Sequence, residues 1–199
     1  MSNYEYARSN PDVIYVCGYL DIYRTRDHGA NWEKLPERPF PEEISDGDTP
    51  LMLAVDPNDE QCVWVTNTFS PGAVRYTTDG GHTWTNPLSG ELLSQTFCWI
   101  ILTGDELNGV YLGTNDGARV YYKDDSMTEW MDYSQGLNPG ARLTRLVPFY
   151  KDGKLRAATN QGIWEIPLVR QDFRPVAQPI ALNLGNGDLT DNPGKEVWL

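Results

Sequence analysis

Tyr76-Thr77-Thr78-Asp79-Gly80-Gly81-His82-Thr83-Trp84 is the stretch whose reading decides the fold, because worn copies of it occur twice more in the chain. The first copy is Arg24-Thr25-Arg26-Asp27-His28-Gly29-Ala30-Asn31-Trp32. The third, the most degraded, is Tyr122-Lys123-Asp124-Asp125-Ser126-Met127-Thr128-Glu129-Trp130. Aligned without gaps on Asp27, Asp79 and Asp125, each copy carries a Trp five residues after the Asp, and the copies stand 52 and then 46 residues apart. A repeat of that period implies a stacked or radial array, since one such unit cannot bury its own apolar face.

Around each copy the text reads as short strands bounded by turn residues. The first unit predicts strands over 13–18, 22–25 and 31–35, the second over 51–55, 62–67, 73–77 and 84–85. The third predicts them over 97–102, 110–114, 119–122 and 130–133, and the fourth over 143–150, 155–159 and 162–166, with no Asp turn or outer strand after it. Ile22, Val74, Val120 and Ile163 take matching places on the third strands, so one register runs through the chain. Three prolines within 36–41 cannot join a ladder, and that segment is expected to be a surface connection. Four strands per unit at this period predict an all-β fold, a β-propeller of about four blades of antiparallel sheet. The unfinished fourth unit suggests part of a larger ring. Residues 1–170 are thus expected to be blades, and 171–199 a linker with the truncated start of a further domain.

Composition agrees and excludes several functions. Across 199 residues, 40% are hydrophobic and 12% aromatic, and 18 Gly with 14 Pro supply many turns. A net charge of −12 would repel phosphates, which argues against nucleic acid as partner. No run approaches the ~18 apolar residues of a membrane-spanning helix, and the first residues do not read as a signal peptide. That start fits either a cytoplasmic protein or an internal boundary of a longer one. Cys17, Cys62 and Cys98 have no metal-ligand spacing and read as buried reduced thiols. No metal and no cofactor is predicted.

The repeated stretch resembles the Asp-box, or BNR repeat, Ser/Thr-x-Asp-x-Gly-x-Thr-Trp. Thr77, Asp79, Gly81, Thr83 and Trp84 match it completely, and Thr25, Asp27, Gly29 and Trp32 depart from it only at Asn31. In the third copy Asp125 and Trp130 alone remain. The resemblance covers roughly residues 3 to 167. It implies a propeller like those of sialidases, xyloglucan-active endoglucanases, sortilin-type receptors and photosystem assembly factors. It also implies that the boxes are structural and peripheral. An Asp accepting backbone N–H bonds, a Gly with positive φ and a packed Trp make a self-contained turn.

The phrases that carry catalytic residues in those enzymes are not visible here, so catalytic residues are unknown and any enzyme activity is expected to be glycoside-hydrolase-like. Asp46, Asp48, Asp105 and Asp116 read as solvated loop carboxylates, and His28 and His82 as surface residues of the turns. Thr-Asn phrases at equivalent places suggest a ligand face made by Asn67, Phe69, Asn115, Asp116 and Asn160. The expectation is an extracellular, periplasmic or cell-surface propeller segment that binds or helps process polysaccharide. A non-enzymatic scaffold binding protein or peptide is the alternative.

Overall fold

The computed structural model describes residues 4–18, 21–40, 51–114 and 117–170, and for Leu51 the backbone alone. The expected linker and tail at 171–199 lie outside the described residues, as do Asp46, Asp48, Asn115 and Asp116. The first sheet comprises β1 (Tyr4–Ala7), β2 (Asn10–Cys17), β3 (Ile22–Thr25) and β4 (Glu33–Lys34). The second holds β5 (Leu51–Val55), β6 (Val63–Asn67) and β7 (Val74–Thr77). The third holds β8 (Phe97–Leu102), β9 (Val110–Thr114), β10 (Val120–Lys123) and β11 (Met131–Asp132), and the fourth β12 (Leu143–Phe149), β13 (Lys154–Thr159) and β14 (Gly162–Pro167). Each sheet is an antiparallel meander in chain order. These are four blades of a partial β-propeller.

Alternate side chains of a strand point to opposite sides of its sheet, and both sides of the second and third blades are apolar. The core therefore lies between blades. One cluster joins Val13, Tyr15, Cys17 and Ile22 of the first blade to Val63 and Val65 of the second. Another joins Val74 to Phe97, Val110 and Leu112, and a third joins Tyr111, Val120 and Tyr122 to Leu155 and Ala157. Each blade thus has a trailing face toward the next and a leading face toward the one before. Register makes the repeat explicit. Tyr15 pairs with Arg24, Trp64 with Tyr76, Tyr111 with Tyr122 and Arg156 with Glu165, all on trailing faces.

A second repeated element ties blades together. The indole N–H of Trp84 donates to Glu37 O at 3.1 Å, that of Trp130 to Pro87 O at 3.0 Å, and that of Trp164 to Gln135 O at 2.9 Å. In every case a later blade holds the backbone that leaves the outer edge of the blade before it.

Four expectations need correction. The inner strand of the first blade is β1, which sequence reading passed over because its four residues Tyr4–Ala7 are too few to show a period. The segment after β4 is not purely a surface connection, since Pro39 and Phe40 are buried and the Arg75 guanidinium lies 5.3 Å from the Phe40 ring centre. The outer strand expected at 84–85 is reduced to one bridge, Tyr76 with Thr85. Leu35 N and Tyr133 N donate to Ile22 O and Val120 O, which anchors the outer strands of the first and third blades. Proline stands at that place in the second blade, Pro87, three residues after Trp84, and has no N–H to give. Finally, Ile163 keeps the register of Ile22, Val74 and Val120 but not their burial: it is 80% exposed where they are 0–2% exposed.

Candidate functional site

The two complete Asp turns are closed circuits. Thr77 Oγ1 donates to Asp79 Oδ1 at 2.6 Å and accepts from Gly81 N at 3.0 Å. Asp79 Oδ1 accepts the His82 and Thr83 N–H groups, both at 2.9 Å, and Oδ2 accepts the Thr83 hydroxyl at 2.7 Å. Asp27 repeats this with Thr25 at 2.7 Å, Asn31 N at 2.8 Å and Asn31 Nδ2 at 2.7 Å. Asn31 thus does through its amide what Thr83 does through its hydroxyl. Bonds from the Asn31 backbone and side chain, then from Thr25, bring the Asp27 carboxyl down to about 2. Bonds from Thr77 and Thr83 hold Asp79 lower still. Both carboxylates are thus engaged by hydrogen bonds within their own turns.

The third turn uses its neighbour instead. Asp124 accepts Ser126 N at 3.0 Å, the Ser126 hydroxyl at 2.6 Å and the Tyr122 hydroxyl at 2.9 Å. Asp125, the residue aligned with Asp27 and Asp79, is exposed and accepts Asn108 Nδ2 at 2.7 Å. Loss of the motif glycine at Met127 goes with a different turn, one residue out of register. Trp130 still packs toward the preceding blade through its bond to Pro87 O.

Of the expected Thr-Asn face, Asn67, Phe69 and Asn160 are among the described residues. Asn67 is 2% exposed and its side-chain oxygen accepts the Phe69 N–H at 3.1 Å, a local turn bond. Asn160 is exposed but engaged with the Arg142 backbone, accepting its N–H at 2.7 Å. Phe69 stands free of that geometry at 64% exposure. Asp105 is not solvated: it is buried and accepts Leu107 N at 3.0 Å and Gly109 N at 3.1 Å. His28 and His82 are exposed, as expected. Cys17 is buried, whereas Cys62 and Cys98 are half-buried, and all three thiols are free.

What sequence reading missed is a cleft of about 460 Å³ between the second and third blades. Its wall is aromatic. Trp64 stacks on Tyr76 with ring centres 4.9 Å apart, and Trp130 meets Trp64 edge-on at 6.4 Å. Its rim is polar, with Asn58, Asp59, Thr78, Asn108 and Asp125 exposed around the mouth. The other two junctions are filled at the corresponding places. In the first, Arg24 reaches Tyr15 OH at 3.3 Å and Gly80 O at 3.4 Å, and Leu35 lies where a Cβ on Gly81 would come within 2.7 Å of its Cδ1. In the third, Tyr133 packs on Tyr111 and Tyr122 and donates to Pro167 O at 2.7 Å. Pro87, aligned with Leu35 and Tyr133, is too short to fill the second. The signal was in the sequence: position three after each repeat Trp reads Leu, Pro, Tyr.

Charges around the cleft are uneven. Burial raises the Asp56 carboxyl, and pushes the Cys62 thiol up to about 12 with Asp56 and Asp59 adding to it, so Cys62 is a neutral thiol at pH 7. Burial also works to raise Asp124, but the hydroxyls of Ser126 and Tyr122 outweigh it and hold the group below its usual range. The cleft therefore offers aromatic surface beside an ionised carboxylate and several amides and hydroxyls. That donor and acceptor set can orient a neutral, hydroxyl-rich ligand. Among the described residues no group of three or more His, Cys, Asp or Glu could hold a metal ion, and no helix is long and apolar enough to cross a membrane.

Compared with known protein families and with curated proteins, the sequence matches none. Solved structures do match. The GH74 enzyme of Niastella koreensis aligns at 16% identity and TM-score 0.61, over 82% of this chain and 28% of that one. The GH74 xyloglucanase from Xanthomonas campestris aligns at 14% identity and TM-score 0.65, over 81% and 28%. YCF48 from Cyanidioschyzon merolae aligns at 14% identity and TM-score 0.56, over 84% and 53%. At these identities the likeness is one of fold, and the chain spans 28% of each GH74 structure and 53% of YCF48. A propeller scaffold is common to glycoside hydrolases and to non-enzymatic proteins, so function must come from the site.

Proposed function

We infer that the chain is an Asp-box propeller segment that binds polysaccharide, holding pyranose rings in the cleft between its second and third blades. The observation that carries this is the Trp64, Tyr76 and Trp130 wall beneath a rim of amides, hydroxyls and carboxylates. A pyranose has apolar C–H faces and a polar edge, so it needs aromatic surface below and hydrogen-bonding groups at the side. Ligand clefts in general combine an apolar lining with a few placed polar groups. The resemblance to GH74 enzymes in fold agrees with this, and the likeness to the extracellular domain of BT4673 from B. thetaiotaomicron, at 16% identity and TM-score 0.56, agrees with an extracellular setting. The supporting chemistry is that of binding, with neutral Cys62 and the closed Asp turns as bystanders.

Calorimetric titration with soluble β-glucans, xyloglucan oligosaccharides among them, tests the proposal. Binding is expected, and Trp64→Ala is expected to weaken it at least tenfold, about 1.4 kcal/mol. Pro87→Tyr, which places in this junction the residue found at Tyr133, should do the same by filling the cleft while leaving the thermal melt intact. Glucan binding unaffected by Pro87→Tyr, or no glucan binding, would remove the cleft from consideration. Peptide binding in place of glucan would favour the scaffold alternative, for which YCF48 bound to D1 peptide is a structural parallel at 15% identity and TM-score 0.51.

A further inference from the structure

The cleft between the second and third blades holds more negative charge than its own cations neutralise. Four carboxylates line it, those of Asp56, Asp59, Asp124 and Asp125, against one ammonium, that of Lys123. Among the described residues none of the four has a cation within ion-pair distance, although Asp12, Asp21, Asp105, Asp132 and Asp152 all do. Lys123 is turned to the Thr128 carbonyl at 2.8 Å. Arg170 exerts its charge on Asp124 but lies beside Asp105 and Glu106, at 3.9 and 3.8 Å. Asp56 and Asp124 are each only 8% exposed, so solvent screens them weakly. Burial raises the Asp56 carboxyl, and Asp59 and Asp105 add to it.

Hydrogen-bonding capacity is lopsided in the same sense. The N–H groups of the lining are already engaged within the protein. Asn58 Nδ2 donates to Gly104 O at 2.7 Å, Asn108 Nδ2 to Asp125 Oδ2 at 2.7 Å, and the Trp130 indole to Pro87 O at 3.0 Å. An ionised carboxylate accepts at about four lone-pair sites and donates at none. At the mouth Asp59 accepts Gln61 N at 2.9 Å through Oδ1, and Asp125 accepts Asn108 through Oδ2, so both keep accepting capacity toward the cleft. A ligand suited to this surface brings donors and positive charge. The faces of Trp and Tyr attract a cation as well.

We propose that the cleft selects amino sugars: pyranose units carrying a protonated amine in place of the 2-hydroxyl, as along a β-1,4-linked glucosamine polymer, bind more tightly than neutral units, and uronate units are rejected. This rests on the reading of the cleft as a polysaccharide site and adds the charge of the sugar it takes. An ammonium has three donors and no acceptor, which matches an acceptor-rich rim, and its bonds to carboxylates are about twice as strong as neutral ones. The C–H face of the same ring still covers the wall of Trp64 and Tyr76. A basic peptide would bring the charge without that ring. A uronate would bring a fifth carboxylate to four that have no cation beside them.

Calorimetric titration of the 199-residue chain with cellotetraose and with its 2-amino and uronate counterparts tests it, at about pH 6, where an exposed Asp is ionised and the sugar amine keeps its proton. The amino tetramer is expected to bind about tenfold more tightly than cellotetraose, the worth of one hydrogen bond to a charged group, and the uronate tetramer more weakly than either. Added salt should shrink the amino preference, a readout that needs no variant. Asp59→Asn combined with Asp125→Asn should bring the amino and neutral affinities together. Equal affinity of the natural chain for those two tetramers, or a preference indifferent to salt, would overturn the charge selection and leave the polysaccharide reading standing. Tetralysine binding as tightly as the amino tetramer would overturn it too, since the ring would then count for nothing. Failure of all three sugars to bind would remove both readings.

Discussion

The turns at 25–32 and 77–84 are nearly superimposable as hydrogen-bond circuits and differ in everything around them. Both close on an Asp, both present a Thr hydroxyl to a Gly N–H, and both glycines sit at φ 91. Yet Gly81 is packed against Leu35 and Trp84 reaches Glu37, while Gly29 and Trp32 face outward. The local turn is therefore autonomous, and the contact between blades is a separate property laid over the same residues. Asp, Thr and Asn31 or Thr83 make the turn. The Trp and the missing Cβ of the glycine make the junction.

The sharpest way to break the comparison is alanine at each glycine. Gly29→Ala should cost only the left-handed backbone penalty, about 1–2 kcal/mol. Gly81→Ala should add an overpacking cost of about 1–3 kcal/mol as its methyl meets Leu35, measured by denaturant unfolding. Equal costs would mean that the Leu35 contact yields freely. A smaller difference is expected from Trp→Phe. At Trp84 the change removes a bond between blades worth about 0.5–1.5 kcal/mol. At Trp32 it removes only a bond within an exposed turn, so the two melts should separate.

The smallest effect is shared by both turns and sharpens what they have in common. A carboxyl whose folded pKa is depressed contributes stability above its unfolded value of about 3.9 and loses it as pH falls through the folded value. For Asp27 that window runs from about 4 down to about 2, and for Asp79 it extends lower. Asp27→Asn and Asp79→Asn should each flatten the acid limb of the stability curve there. Asp124→Asn should act in the same direction in the third turn, where Asp124 accepts the Ser126 N–H and its carboxyl is also held below its usual range.

Most of the architecture was legible because its signals are local. Alternating apolar runs, Gly and Pro punctuation and a repeated turn place thirteen of the strands or their stubs near where they stand, and Ile22, Val74 and Val120 share one buried register. What was not legible depends on neighbours. Asn67 looks like a binding residue by type, yet its amide closes a turn under a buried strand end. Pro39 and Phe40 look like surface linker, yet both are buried, Phe40 beside Arg75 of the next blade. The cleft is the least visible of all, since it arises from what Pro87 omits: an N–H for the outer strand and a side chain long enough to fill the junction. Only comparison of Leu35, Pro87 and Tyr133 across copies exposes it.

The indole bonds between blades also have a direction in time. In each, the acceptor carbonyl precedes its donor in the chain, by 47, 43 and 29 residues for Trp84, Trp130 and Trp164. A polypeptide leaving the ribosome N-terminus first has therefore made every acceptor before the matching indole is synthesised. Each blade emerges to find its latch already in place, and the order of translation is also an order in which the stack can be assembled.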